Sequence, residues 1–316
     1  MANDTLVSSR LRSGDTIGIV SPSAAVTAKV KPQLKEGIRF LQKSGFKTVL
    51  GKNHLKIQDG SAGTPEERAE DINSMFENDD IAGIICSQGG DTSNTCLPYL
   101  DFNTIRKNPK IFLGISDITV LLNAFHAKTG LVTFHGNDVM WGFGRKPTAY
   151  DIDEFENRLV KGEIGAVKKN SAWKSIRPGS AEGRLMGGNL RCLLKLAGTQ
   201  YQPDFRNSIL FLESFVVNPD ECSFMLSHLE QIGAFEKLKG VLIGYIWGLQ
   251  ASRKRRQLTQ MEDIVKRVTI EYDFPIVKCD DFGHNCPNTT LPVGAKVRLD
   301  AEGTKPELQI LEQCVK

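Results

Sequence analysis

No apolar run in this chain approaches the ~20 residues that a membrane-spanning helix needs. The longest pure stretches are fragments such as Ile209-Leu210-Phe211-Leu212, so no membrane partner is expected. A charge excess of one sign is also missing. Forty Lys and Arg against 37 Asp and Glu leave a net charge of +3, too near balance to make nucleic acid or an anionic membrane the main partner. Cysteines number seven, an odd count, and are widely spread without a CxxC pair. This argues against a disulfide framework or a structural zinc site and points to a reducing cytoplasm. The first fifteen residues hold no apolar h-region, so no secretory signal is expected. Neither G-x-G-x-x-G nor a phosphate-loop pattern occurs, which argues against a dinucleotide or nucleoside-triphosphate enzyme, and no cofactor is expected. The strongest basic run, Arg253-Lys254-Arg255-Arg256, reads in a near-neutral chain as a solvated loop or a handle for an anionic substrate.

What is present is a folding chain. Its 316 residues, 40% hydrophobic and 24% charged, are about twice a usual ~150-residue domain, which predicts two domains. In the first half, short buried strands alternate with helical periodicity. Strands are predicted at 15–20, 46–50, 81–86, 110–115 and 131–135, with helices at 30–44, 64–76 and 117–128. Thr64-Pro65-Glu66-Glu67 is a helix start with a capping box. Such alternation implies right-handed crossovers and a mostly parallel sheet. The rhythm is lost over 142–182, so the domains are placed at 1–141 and 183–316 with a linker and active-site loop between them. The second half predicts a helix over 185–196, a strand at 208–213 and a helix over 219–235. Strands at 241–247 and 275–278 and a hairpin from 295–299 and 308–311 follow.

Phe112-Leu113-Gly114-Ile115-Ser116-Asp117 puts a serine where a buried strand turns directly into a helix. An elbow of this kind exposes the hydroxyl at the carboxyl end of the sheet and aims the next amides outward, as an acyl-transfer nucleophile requires. The competing reading is a helix cap, which serine also favours. Ile118 stands where the second glycine of G-x-S-x-G would be. A serine nucleophile needs a base, and there are five histidines. His126 lies ten residues along the same helix, ~15 Å away. His54 offers no special setting, and His228 belongs to an amphipathic helix. His135, at a strand end, and His284, in the Gly- and Pro-bracketed loop Asp281-Phe282-Gly283-His284-Asn285-Cys286-Pro287, remain. Glu213 ends a buried strand, where a carboxylate needs either a partner or solvent. Gly89-Gly90 lets backbone approach a ligand or forms a tight turn. Cys279, Asp280, Asp281, His284 and Cys286 lack familiar zinc spacing, and no metal is expected.

Taken in order, these segments resemble the serine LD-carboxypeptidase family, and within it the branch of microcin C immunity peptidases. The resemblance is carried by Gly14-Asp15-Thr16-Ile17-Gly18, Gly89-Gly90-Asp91-Thr92-Ser93-Asn94 and Gly114-Ile115-Ser116-Asp117-Ile118-Thr119. It continues through Phe134-His135-Gly136, Gly187-Gly188-Asn189-Leu190, Leu212-Glu213, Gly283-His284 and Leu291-Pro292-Val293-Gly294. It implies Ser116 as nucleophile, His284 as base, Glu213 as the acid orienting it, and oxyanion donors at the Gly90 and Asp117 amides. It also implies a flavodoxin-like or class I amidotransferase-like N-terminal parallel-sheet domain, a smaller C-terminal α/β domain, and usually a homodimer. The substrate implied is a murein tetrapeptide or a peptidyl-nucleotide, and a non-catalytic peptide- or nucleotide-binding cleft is the alternative. Two departures stand out. Gln88-Gly89-Gly90-Asp91 lacks the Arg-Gly-Gly-Tyr-Gly pattern typical of the murein-cleaving branch. The segment between Trp141 and Glu182 is shorter than in immunity peptidases, with Trp173 as its one remaining candidate for stacking on a nucleobase.

Overall fold

The computed structural model describes residues 5–249 and 259–316; the basic run at 253–256 lies outside the described residues. In the first half, strands β1 (Thr16–Val20), β2 (Lys47–Leu50), β3 (Ile81–Cys86), β4 (Ile111–Gly114) and β5 (Thr133–His135) alternate with helices. These are α1 (Lys31–Lys43), α2 (Pro65–Glu77), α3 (Phe102–Lys107) and α4 (Thr119–Thr129). The predicted capping box forms: the Thr64 hydroxyl accepts from the Glu67 amide, and the Glu67 side chain accepts from the Thr64 amide. β1, β3 and β4 are buried almost throughout, as strands covered on both faces by helices must be.

Residues 142–182, expected as a linker, carry α5 (Ala149–Phe155), a single wider helical turn over Glu156–Lys161, and strands β6 (Gly165–Ala166) and β7 (Lys174–Arg177). These elements are too short to leave a periodic apolar pattern. Then follow β8 (Ser180–Asn189), α6 (Leu190–Leu193), β9 (Ser208–Ser214), α7 (Pro219–Gln231), β10 (Gly240–Ile246), α8 (Met261–Val268), β11 (Ile276–Gly283), β12 (Leu291–Val293), β13 (Lys296–Asp300) and β14 (Glu307–Ile310). A six-stranded sheet has the order β12-β5-β4-β3-β1-β2, and an eight-stranded sheet the order β6-β14-β13-β8-β9-β10-β11-β7. The first is parallel except at β12, which pairs antiparallel with β5. The predicted terminal hairpin is β13–β14.

One expected helix is corrected. Residues 185–189 are the end of β8, and only Leu190–Leu193 is α-helical. Gly187 and Gly188 have φ of 132° and 131°, a left-handed extended backbone open to glycine. A Cβ at Gly188 would lie 2.4 Å from the Thr119 hydroxyl. The glycine pair is therefore a contact surface. The Asn123 amide side chain bonds both the carbonyl and the N–H of Gly187, and the Thr119 hydroxyl accepts from the Asn189 amide. Through these bonds β8 of the second sheet docks directly on α4, the helix that follows Ser116.

Candidate active site

Ser116 sits between the carboxyl end of β4 and a short 3-10 turn, Ser116–Ile118, that leads into α4. Its φ is 66°, an unusual conformation for a non-glycine residue, and such strain concentrates at functional sites. The cap position of the turn is Ile115 and that of α4 is Ile118, so Ser116 occupies neither and the simple cap reading loses its support. Asp117, wholly buried, is held from three sides. It accepts from the Ser23 hydroxyl at 2.6 Å and the Ser93 amide at 2.8 Å, and pairs with Lys195 at 2.5 Å. Burial pushes the Asp117 carboxyl up, but Lys195 with the two serine donors outweighs this and holds it below the ordinary range. The side chain of Asp117 thereby locks the turn that carries its own backbone amide.

Gly89 and Gly90 follow β3; Gly89 lies against this elbow and Gly90 against Ser23 and Ala24. A Cβ placed on Gly89 would come within 2.7 Å of Ser116 Cβ, 2.9 Å of its Oγ and 3.2 Å of the Asp117 nitrogen. The space left free by that missing carbon lies at hydrogen-bonding distance from both the hydroxyl and the amide. Replacing Gly89 with alanine fills it. We expect kcat/KM to fall about 10²- to 10³-fold, the size of losing one oxyanion donor, and steady-state kinetics beside a thermal melt checks it. Wild-type rate in a well-folded Gly89→Ala variant would show that this space is not used.

Across the cavity, Glu213 is the penultimate residue of β9 and β11 ends just before His284. Glu213 is fully buried. One carboxylate oxygen bonds His284 Nδ1 at 2.7 Å and the other accepts from Asn189 Nδ2 at 2.9 Å. Burial alone would raise its pKa, but the facing imidazole and the Asn189 donor reverse this, so Glu213 stays ionised below the ordinary range. Burial of the His284 ring pulls its pKa down, but the Glu213 carboxylate, with Asp138 adding to it, dominates and holds it above the ordinary 6.5. Phe215 covers one face of the ring at 4.7 Å between centroids.

Ser116, Gly90, Asn189 and His284 line a single cavity of about 1060 Å³. No hydrogen bond yet joins Ser116 to His284, a contact that often tightens only when substrate is bound. The other histidines are placed elsewhere. His135 is wholly buried with Phe211 and Phe282 against it and no hydrogen bond on either ring nitrogen. Burial drives its pKa to about 4, so it stays neutral. His126 bonds the Leu131 carbonyl and His54 the Gly51 carbonyl, while His228 closes the last turn of α7. The acidic patch disperses: Asp281 accepts from Trp173 Nε1 at 2.6 Å, and Asp280 pairs with Lys278. Among the described residues, no three His, Cys, Asp or Glu side chains gather to hold a metal.

The pattern of the LD-carboxypeptidase N-terminal domain matches residues 17–136, and that of the C-terminal domain matches residues 182–299. The chain belongs to the LD-carboxypeptidase family. It is 32% identical to the microcin C7 self-immunity protein MccF of Escherichia coli, over 98% of this chain and 96% of that one. It is also 32% identical to a probable murein peptide carboxypeptidase of Bacillus subtilis, over 92% and 90%. A solved structure of MccF in complex with glutamyl sulfamoyl guanosine superposes with a TM-score of 0.90 at 30% identity, covering 98% of this chain and all of that one. This LD-carboxypeptidase is thus a serine-type hydrolase with the mixed α/β, two-sheet fold of that neighbour. Three cavity residues carried no signal in isolation. Asn189 looked like a helix entry. Asp138 and Trp141 fell between the β5 strand and a supposed linker, where only their neighbourhood in space gives them meaning. Trp173, the one candidate for stacking within 142–182, is buried and tied to Asp281, whereas Trp141 and Trp247 line the cavity.

Proposed function

We propose that this chain hydrolyses a C-terminal amide of a murein peptide or a peptidyl- or aminoacyl-nucleotide through Ser116, His284 and Glu213. The observation that carries this reading is the buried Glu213–His284 pair facing, across one cavity, a serine held at positive φ. With Nδ1 engaged by Glu213, Nε2 is the basic nitrogen. It takes the Ser116 proton as Oγ attacks the carbonyl carbon. The amides of Gly90 and Asp117 receive the developing oxyanion. As the tetrahedral intermediate collapses, the C–N bond breaks and the imidazolium gives its proton to the leaving amine. Water then attacks the acyl-enzyme with His284 again as base, releasing the acid and restoring the Ser116 hydroxyl.

The same reading assigns the nucleophile to 1–141 and the acid and base to 183–316, with 142–182 contributing a wall of the cavity. It extends to a homodimer in the cytoplasm, for which seven free cysteines suit a reducing compartment; sedimentation tests the dimer. No described helix is long and apolar enough to cross a membrane. Mass spectrometry after separate incubation with a murein tetrapeptide and with an aminoacyl sulfamoyl nucleotide tests the substrate. Cleavage of neither would leave the cavity as a binding cleft.

A pH profile follows from the charge pair. Only neutral His284 can accept the serine proton, and Glu213 raises its pKa. Activity is therefore low on the acid side and rises with pH through a midpoint above 6.5. Measuring kcat/KM against pH locates it in the free enzyme. A profile flat from pH 5 to 8 would contradict an imidazole base.

A further inference from the structure

The cavity holds a carboxylate that the hydrolytic steps leave unused. Asp138 follows β5 and is only 1% exposed, yet it lines the cavity with Ser116 and His284. Its Oδ1 accepts from the amides of Trp141 at 2.6 Å and Gly142 at 3.0 Å. The Met140 amide adds a third backbone contact, but no described side chain donates a hydrogen bond to Asp138, and none of the described Lys or Arg side chains pairs with it. Of the other charged groups lining the cavity, Asp91 and Lys146 lie exposed at its rim, and the rest are engaged. Asp151 caps α5 and bonds Asn137 and Asn288. The Arg145 guanidinium lies 4.3 Å over the Trp141 ring, and Arg191 pairs with Glu221 at 2.8 Å.

A buried carboxylate without a lysine or arginine partner is costly, and burial pushes the Asp138 pKa up to about 6 despite the amides of Trp141, Gly142 and Met140 and the nearby His284. The titratable groups that feel its charge are His284 and the buried Cys86 thiol. Toward His284 the effect works against catalysis, because a charged Asp138 favours the imidazolium when the base must be neutral. A cation brought by the substrate would remove both difficulties at once.

We propose that Asp138 Oδ2 receives a free ammonium group of the substrate, so that the favoured peptides or aminoacyl-nucleotides carry an unblocked amine within reach of Ser116. This rests on the hydrolytic reading of the same cavity and narrows its substrate class. Binding of the ammonium keeps Asp138 ionised and screens its field at His284, releasing the imidazole to act as base. An amine-blocked substrate leaves the carboxyl desolvated and unpaired.

Two measurements separate this from the hydrolytic reading. The side-chain carboxyl of Asp138 is followed by carbon NMR, assigned from its loss in Asp138→Asn, during pH titrations with glycinamide or N-acetylglycinamide. Glycinamide should lower the Asp138 midpoint, and N-acetylglycinamide should leave it in place. An unmoved midpoint up to the solubility limit of glycinamide overturns the proposal without bearing on hydrolysis. In turnover, wild type should prefer a free-amine substrate over its N-acetylated twin by about tenfold in kcat/KM, the scale of one charge-assisted hydrogen bond. Asp138→Asn, which keeps Oδ1 for the two amides, should bring that ratio towards one. An equal ratio in wild type and variant overturns the proposal. A moved midpoint with neither twin cleaved would refute the hydrolytic reading and leave the ammonium site standing.

Discussion

Replacing Ser116 with alanine should lower kcat/KM by about 10⁴- to 10⁶-fold, the loss seen when the nucleophile of a triad acting as a unit is removed. The small residual rate would come from the oxyanion amides and binding alone. Glycine at the same position gives a sharper test. Ser116 has φ of 66°, a conformation that costs a non-glycine residue about 1 kcal/mol or more and glycine little. Ser116→Gly should therefore be as inactive as alanine while melting at or above the wild-type temperature. The two readouts move in opposite directions only if the strain at this residue serves catalysis. An active Ser116→Gly would remove the serine from the reaction as proposed, and one that no longer folds would remove the argument from strain. Calorimetry with single-turnover kinetics distinguishes these outcomes.

Glu213→Gln should cost about 10³- to 10⁴-fold in kcat/KM through the wrong tautomer of His284. The argument is one of donors and acceptors. Asn189 Nδ2 donates to one oxygen of Glu213 and His284 Nδ1 meets the other. In the glutamine variant, Asn189 selects the amide oxygen as its acceptor, which turns the NH₂ group toward His284. Nδ1 must then accept, the ring proton moves to Nε2, and Nε2 can no longer take a proton from Ser116. The variant also removes the charge that raises the His284 pKa, so the histidine midpoint should fall. Nitrogen NMR of the imidazole reads the tautomer directly. Unchanged Nε2 basicity with full activity would rule out the orienting role given to Glu213. Asn189 becomes a positioning residue by the same reasoning, since it decides which atom of residue 213 faces the ring.

Much of the first half was legible because one physical rule governed each piece. Ile81-Ala82-Gly83-Ile84-Ile85-Cys86 is β3 to the residue, since only a strand covered on both faces tolerates so continuous an apolar run. The Thr64 capping box and the break at Ser116 are local, and local chemistry is written in adjacent residues. The second half was harder where tertiary contact overrode the local pattern. Gly187-Gly188-Asn189 reads as a helix entry but is the end of a strand, because the missing Cβ atoms admit Thr119 and the Phe211 carbonyl. β11 runs on through Asp280 and Asp281, whose charges suggested a loop. They are accommodated by Lys278 on one side and by Trp173 and Asn170 on the other. Similarly, the meeting of Glu213 with His284 could be supposed only from family resemblance. No spacing in one sequence encodes a contact between the ends of two strands separated by a third.

The pairing of β12 with β5 bears on the order in which this protein can be made. Leu291 lies opposite His135 and Val293 opposite Thr133, so the edge of the first sheet is closed by residues synthesised long after the rest of it. At ribosomal speeds the interval is on the order of ten seconds. Throughout it, β5 offers unpaired backbone groups that another chain could borrow. The strand that closes this gap comes seven residues after His284, counting 291 − 284, with the base's own loop between. Completion of the nascent sheet and delivery of the imidazole to its cavity are thus one event. A ribosome that stops short of residue 293 leaves a chain with its serine in place, no anchored base, and an open edge.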